Sequence, residues 1–182
     1  MIIGQAEAQT SYYIKSEKIT VAGSSSLHDW VSEVTKVEWS GILKMENGKL
    51  LEVSKVQVKI PVTSIKSDNG RIMDNKTYDA FNSDKYPTIS YQMAEATLSG
   101  DLIKATGTLS MAGASKVISL NVKSRVLSGG DVQLTGSYTL NMRDYKMAPP
   151  TAVMGTIKVG EEVTVNFDLM LSPGQDISKI KK

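Results

Sequence analysis

The only histidine of this chain, His28, sits in the run Ser24-Ser25-Ser26-Leu27-His28-Asp29-Trp30, which holds all three residue types of a hydrolytic triad. In a working triad the nucleophile, base and acid converge from separate elements, each hydrogen-bonded to the next. Here they are sequence neighbours, and no Gly-x-Ser-x-Gly elbow raises a serine on a strained turn. Acyl transfer is therefore not expected. A single histidine excludes metal sites built on two or three. The absence of cysteine excludes disulfides, thiolate catalysis and sulfur-ligated metals, and no acidic run has EF-hand spacing.

The nineteen acidic residues fall mostly on expected polar faces or in turns, so composition neither supports nor refutes a glycosidase-like carboxylate pair. Gly129-Gly130 is followed by no lysine-serine or lysine-threonine pair and by no helix, so it reads as a hairpin turn rather than a phosphate loop. Net charge is +2 with both signs interspersed, and the aromatic residues are scattered, which excludes a nucleic-acid groove. What remains is apolar. There are nine methionines, and Met73, Met93, Met111 and Met142 fall on a helix or on the apolar phase of strands. Their adaptable thioethers suit the lining of a cavity for a flexible apolar ligand, although composition by itself favours ordinary core filling.

The elements that must position these residues are strands, with one helix let in among them. Met73, Thr77 and Phe81 recur at four-residue spacing, Ile72 and Ala80 flank the same face, and Asp74, Lys76 and Asp79 point away, predicting a helix over about 70–82. Ser67, Asp68 and Asn69 offer N-cap oxygens, and Tyr86-Pro87 imposes an extended exit. Elsewhere the period is two. Val56, Val58, Ile60 and Val62 alternate with polar residues, as do Ile118, Leu120 and Val122, the run Val132 to Met142, and the run Val163 to Leu171.

Further strands are expected at Tyr12 to Ile14, Ile19 to Gly23, Trp30 to Met45, Ile89 to Ala96 and Ile103 to Met111. Phase slips within Trp30 to Met45, and between Val53 and Val56, call for bulges. Turn signals separate the runs at Asn47-Gly48, Ser99-Gly100-Asp101, Gly129-Gly130 and Val159-Gly160-Glu161. At least eight strands with one wet face require a closed barrel or a sandwich, since an open sheet of that size leaves long edges bare. A single helix in such a fold reads as a plug or lid.

One domain accounts for the 182 residues. No segment has the roughly 18 consecutive apolar residues of a membrane helix. Residues 1–10 read as the remnant of a signal peptide or another leader, 11–172 as the domain, and 173–182 as a solvated tail.

The Ser24 to Trp30 run, the Gly70 to Tyr91 block with Tyr78 and Asp84-Lys85-Tyr86-Pro87, and the closing Leu140-Asn141-Met142-Arg143-Asp144-Tyr145 with Val159-Gly160-Glu161-Glu162-Val163 resemble the YceI-like family of polyisoprenoid-binding proteins. The likeness spans about Tyr12 to Leu171. The chain departs from the family's usual glycine-rich run in Val34-Thr35-Lys36-Val37-Glu38-Trp39.

The resemblance implies an all-β, lipocalin-like antiparallel barrel of about eight strands with the helix at its side or mouth. It also implies export to the bacterial periplasm or beyond, and no catalysis or cofactor beyond a bound isoprenoid lipid or quinone. The pocket carries over by strand phase as Ile72, Met73, Thr77, Phe81, Met93, Leu109, Met111, Ile118, Leu120, Leu134, Tyr138, Met142 and Phe167. Arg143 and Tyr145 are candidates for a headgroup contact.

Two readings follow. One is a carrier that holds a long-chain apolar lipid by burial. The other is a structural barrel with a self-filled core, whose loops contact a second copy or an envelope partner protein; an internal cavity below roughly 300 Å³ points to it.

Overall fold

The computed structural model describes residues 9–174. Its strands are β1 (Gln9–Ser25), β2 (Trp30–Val34), β3 (Glu38–Glu46), β4 (Lys49–Pro61), β5 (Ile65–Ser67), β6 (Thr88–Ser99), β7 (Leu102–Met111), β8 (Ala114–Val126), β9 (Val132–Asn141), β10 (Thr151–Ala152) and β11 (Ile157–Pro173), with one α-helix, α1 (Arg71–Phe81). Eight of them close an antiparallel barrel in the order β1-β3-β4-β6-β7-β8-β9-β11, because β11 returns to pair with β1 from Tyr12↔Pro173 to Ser25↔Val159. Closure leaves the barrel strands without a free edge. Strands β2, β5 and β10 are short outriders on β1, β2 and β11. The lipocalin-like barrel with its single helix is thus the observed fold.

Alternation sorts the side chains. Along β7, Ile103, Ala105, Leu109 and Met111 face inward with Gly107, while Lys104 is exposed. The phase slip before Val56 is a bulge at Lys55 (φ 53°), where the β3–β4 register also shifts, so that Val53 and Val56 both face the interior. Asn47 and Gly48 turn the β3–β4 hairpin with φ of 49° and 73°, as a two-residue primed turn requires.

Three strand and turn expectations are corrected. Trp30 to Met45 is two strands: Thr35-Lys36-Val37 breaks it, with the Thr35 N–H bound to the Ser64 carbonyl at 2.8 Å. Tyr12 to Ile14 and Ile19 to Gly23 are one strand, β1, with a register shift between Ile14 and Ser16. Val159-Gly160-Glu161 is not a turn but lies within β11. Gly160 lets the strand pass close to β1 there, since an added Cβ would stand 2.7 Å from Ser24 Oγ and the serine hydroxyl would have to turn aside.

The helix begins without the expected side-chain cap. Gly70, at φ 80°, is the N-cap, and its carbonyl accepts the N–H groups of Met73 and Asp74, each at 3.1 Å. Asp74 does not point away. Its carboxylate accepts the Ser67 N–H at 2.7 Å and so ties the first turn back to β5. Asn82 closes the other end in the left-handed region.

The two ends of the barrel differ. At the end bearing the β3–β4 and β8–β9 turns, Tyr12, Leu43, Val132 and Leu171 fill the interior at 5% exposure or less, and the Tyr12 hydroxyl donates to the Gly130 carbonyl at 3.0 Å. At the other end lie α1, the segment 142–156 and the β7–β8 turn. The expected leader and tail lie outside the described residues, apart from residues 9–10 and 173–174.

Candidate functional site

Between the filled end and α1 the barrel is hollow. The cavity is about 270 Å³ and reaches from Ser67, Asn69, Lys76 and Pro150 at its mouth down to Ile103, Ala105, Leu134 and Leu169. Its wall is almost wholly aliphatic and aromatic, and Lys76 at the mouth is the one charged residue lining it among those described. No cluster of three or more His, Cys, Asp or Glu among the described residues could hold a metal ion, and no helix there is long and apolar enough to cross a membrane.

The space stays open because large rings lie over glycines instead of projecting across the lumen. Trp30 covers Gly23, Trp39 covers Gly41, Tyr91 covers Gly107 and Phe167 covers Gly136; at each glycine an added Cβ would come closer than 3.0 Å to the ring. All four rings line the cavity. Methionine supplies much of the rest, through Met73, Met93, Met111, Met142 and Met147.

Helix α1 lies over the mouth with no fully buried residue. Met73, Thr77, Ala80 and Phe81 face the cavity, and so does Lys76, which the helical pattern had placed outside. Its ammonium donates to the Thr151 carbonyl at 2.6 Å. The opposite flank is stapled to the wall. The Tyr78 hydroxyl lies 3.0 Å from the Thr63 carbonyl and 3.1 Å from the Ile65 carbonyl, and accepts from Lys66 Nζ at 2.8 Å.

Of the expected pocket residues, Met73, Thr77, Phe81, Met93, Leu109, Met111, Ile118, Leu120, Leu134, Tyr138, Met142 and Phe167 line this cavity. Ile72 does not. It is 74% exposed, because it sits one position round the helix from Met73 and points off the mouth. The two candidates for a headgroup contact are placed elsewhere. Arg143 is exposed and paired with Glu161 on the outer surface, and its backbone N–H is bound to Asn141 Oδ1 at 2.9 Å. Tyr145 is 2% exposed and does not line the cavity; it packs in a second apolar cluster with Met111, Leu140, Met142, Met147 and Val163, which do line it.

The Tyr145 and Tyr91 hydroxyls are buried without a hydrogen-bond partner. Burial, with Tyr138 and Asp144 nearby, pushes the Tyr145 hydroxyl up to about 12, and burial raises that of Tyr91. His28 is exposed, with Nδ1 against the Asp29 carbonyl at 2.7 Å, and Ser25 Oγ donates to the His28 carbonyl at 2.7 Å. The Ser-His-Asp run is therefore a self-bonded turn at the rim.

The wall contributed by β1 to β4 was not among the expected pocket residues. Ile19, Val21, Val34, Trp39, Val53, Val56, Val58 and Ile60 form it. Its signal was present in the Val56-Val58-Ile60 alternation, which marks an inward phase without saying that the interior is hollow.

No curated protein matches the chain by sequence. Solved structures share its fold. The Burkholderia cenocepacia protein BcnA superposes with a TM-score of 0.68 at 15% identity, over 86% of this chain and 96% of that one. A polyisoprenoid binding domain from Saccharophagus degradans, implicated in plant cell wall breakdown, gives 0.68 at 14% identity over 91% and 99%. A Campylobacter jejuni YceI protein gives 0.60 at 21% identity over 78% and 85%. The family model of the YceI-like domain matches residues 12–171. Barrel, mouth helix and sequence together make the chain a member of the YceI-like family.

Proposed function

We propose that the protein binds a long-chain apolar lipid, an isoprenoid quinone or another polyisoprenoid, inside the barrel and carries or sequesters it without chemical change, in the bacterial periplasm or outside the cell. The observation that carries this reading is the hollow apolar lumen beneath α1. The Saccharophagus degradans domain of the same fold, which binds polyisoprenoid, adds support.

By size alone, about 270 Å³ lies just under the roughly 300 Å³ expected of a lipid site and leans toward a self-filled barrel. The character of the space outweighs that margin. Close-packed interiors leave few voids larger than a water molecule, and an apolar hollow of about 150 Å³ already admits a guest of benzene size. A longer chain needs the methionines on the wall to change rotamer, which their unbranched side chains allow. Each buried methylene contributes about 0.8 kcal/mol, so a few isoprene units reach sub-micromolar affinity after the cost of ordering the chain.

The test is organic extraction and native mass spectrometry of protein purified without detergent, followed by titration with an isoprenoid quinone. Bound lipid or saturable uptake is expected. Folded Leu120→Arg, with a charge in the lumen, and Ala105→Phe, with the lumen filled, should both take up less. A parent protein that carries no lipid and takes up none would overturn the reading.

A further inference from the structure

We propose that the mouth of the barrel docks on the surface of a lipid bilayer, and that the ligand enters and leaves through this face. The inference rests on the lipid-binding reading above. A second chamber of about 170 Å³ adjoins the first, and the two share Trp30, Asn69, Met73, Lys76, Pro150 and Val159. These six residues form the neck between an outer vestibule and the lumen.

Around the vestibule stand Leu27 at 66% exposure, Ile72 at 74%, Val153 at 66% and Met154 fully exposed. They are four of the eight large apolar residues exposed among those described. Leu27 lines the vestibule, Ile72 precedes Met73, and Val153 follows Ala152, another vestibule residue.

The tip that carries two of them is strained. Val153, Met154 and Gly155 have φ of 49°, 54° and 84° in succession. A β-branched residue in the left-handed region is disfavoured, and no burial of Val153 or Met154 offsets it. Thr156 holds the tip in place, its N–H and hydroxyl donating to the Val153 carbonyl at 3.1 and 2.7 Å. The backbone is set to present bare apolar side chains beside the neck.

Area and charge select the occupant. Four separate exposed side chains fall well short of the roughly 800 Å² per partner of a stable protein interface and offer no continuous face. A bilayer needs no matching face, because each apolar side chain sinks into the interfacial region separately. The charged residues that line the vestibule or adjoin its lining in sequence are Lys76 and Lys158 against Asp29, Asp68 and Asp74, and Asp74 is held by the Ser67 N–H and lies 4.0 Å from Lys66. That near balance gives a contact that is apolar in character and tolerant of salt.

The experiment is flotation with neutral phosphatidylcholine vesicles at low salt and at about 0.5 M salt, with transfer of an isoprenoid quinone from the vesicles measured in parallel. The parent should float at both salt concentrations. The variant Val153→Asp/Met154→Asp, at two tip residues that line neither chamber, should float about tenfold less and extract quinone correspondingly slowly, while binding the short isoprenoid alcohol farnesol from solution as the parent does. A parent that does not float, or a variant that floats and extracts like it, overturns the proposal. So does a concentration-dependent dimer of the parent that the double substitution dissolves, since the rim would then serve a second copy. Flotation without any uptake of quinone or farnesol would instead refute the lipid-binding reading and leave docking intact.

Discussion

The Phe167 ring reaches across to Gly136, its register partner on the neighbouring strand. A Cβ on Gly136 would meet the ring tip, Cζ, at less than 3.0 Å, with the Asn121 carbonyl at 3.0 Å behind it. The ring can answer only by swinging into the lumen. Gly136→Ala should therefore weaken isoprenoid binding by about tenfold while costing about 1–3 kcal/mol of stability, as overpacking does. Titration and urea unfolding of one preparation measure both. Unchanged affinity would show that the ring does not set the width of the lumen.

Gly107 makes the opposite case. Its added Cβ would meet the Gln92 carbonyl oxygen and Met93 Cα, backbone atoms of β6 that cannot turn aside. Gly107→Ala should lose stability at the top of that range or beyond it, with a lower urea midpoint and broken β6–β7 pairing. A midpoint matching that of the parent would mean that the two strands separate more easily than their register suggests.

These ring and glycine pairs mark where the sequence stopped being readable. Period-two alternation in β6 to β11 and the turn pair Asn47-Gly48 are local signals, and they brought the barrel and part of the inward-facing wall within reach. Whether the interior is filled or hollow depends on Phe167 meeting Gly136 across a register that no local window contains. The helix was half legible for a similar reason. Its four-residue spacing found Met73, Thr77 and Phe81. The helix lies over an opening rather than against a wall, so Lys76 on one flank borders the cavity while Ile72 on the other stands in solvent. Arg143 and Tyr145 were placed by their position near a strand end. The short helical turn from Met142 to Tyr145 sends one side chain out and the next but one into the second apolar cluster.

Lys76 links α1 to β10 through the Thr151 carbonyl at 2.6 Å, across the neck from the Tyr78 staple. One exposed bond holds that flank. Lys76→Met should lower global stability by no more than about 1 kcal/mol, the net worth of the one hydrogen bond it removes. It should also speed ligand exchange by about fivefold, the factor corresponding to a net hydrogen bond of about 1 kcal/mol. Stopped-flow uptake measures the rate. An unchanged rate would place the limiting step elsewhere in the neck.

Asp131 clamps the barrel seam at the filled end, accepting from Lys15 Nζ at 2.8 Å and from the Ser172 hydroxyl at 2.5 Å. The Lys15 bond, and then the Ser172 bond, hold its carboxyl below the usual 3.8. The unfolded chain therefore takes up the proton first as pH falls. The clamp contributes stability above about 3.8 and loses it as pH drops through the lower value of the folded state. Asp131→Asn should flatten this acid limb, so that the urea midpoints of variant and parent differ more at pH 7 than at about pH 3. An equal difference at both would exclude Asp131 as a source of the acid sensitivity.

Tyr145 carries its hydroxyl at 2% exposure with no partner, and an unsatisfied buried hydroxyl costs about 1–3 kcal/mol. Tyr145→Phe keeps the ring among Met111, Leu140 and Met147 and removes only that oxygen, so it should raise stability at neutral pH by about 1 kcal/mol. Alkali separates the parent and variant further. Burial raises the folded-state value from 10.0 to about 12, so between those limits the unfolded chain gives up its proton while the native one retains it. The parent accordingly loses stability as pH rises above 10, and the phenylalanine variant lacks that contribution. Urea unfolding at neutral pH and near the upper limit measures both effects. A variant less stable than the parent at neutral pH would mean that the hydroxyl is hydrogen-bonded in solution, because only a satisfied group makes its removal costly.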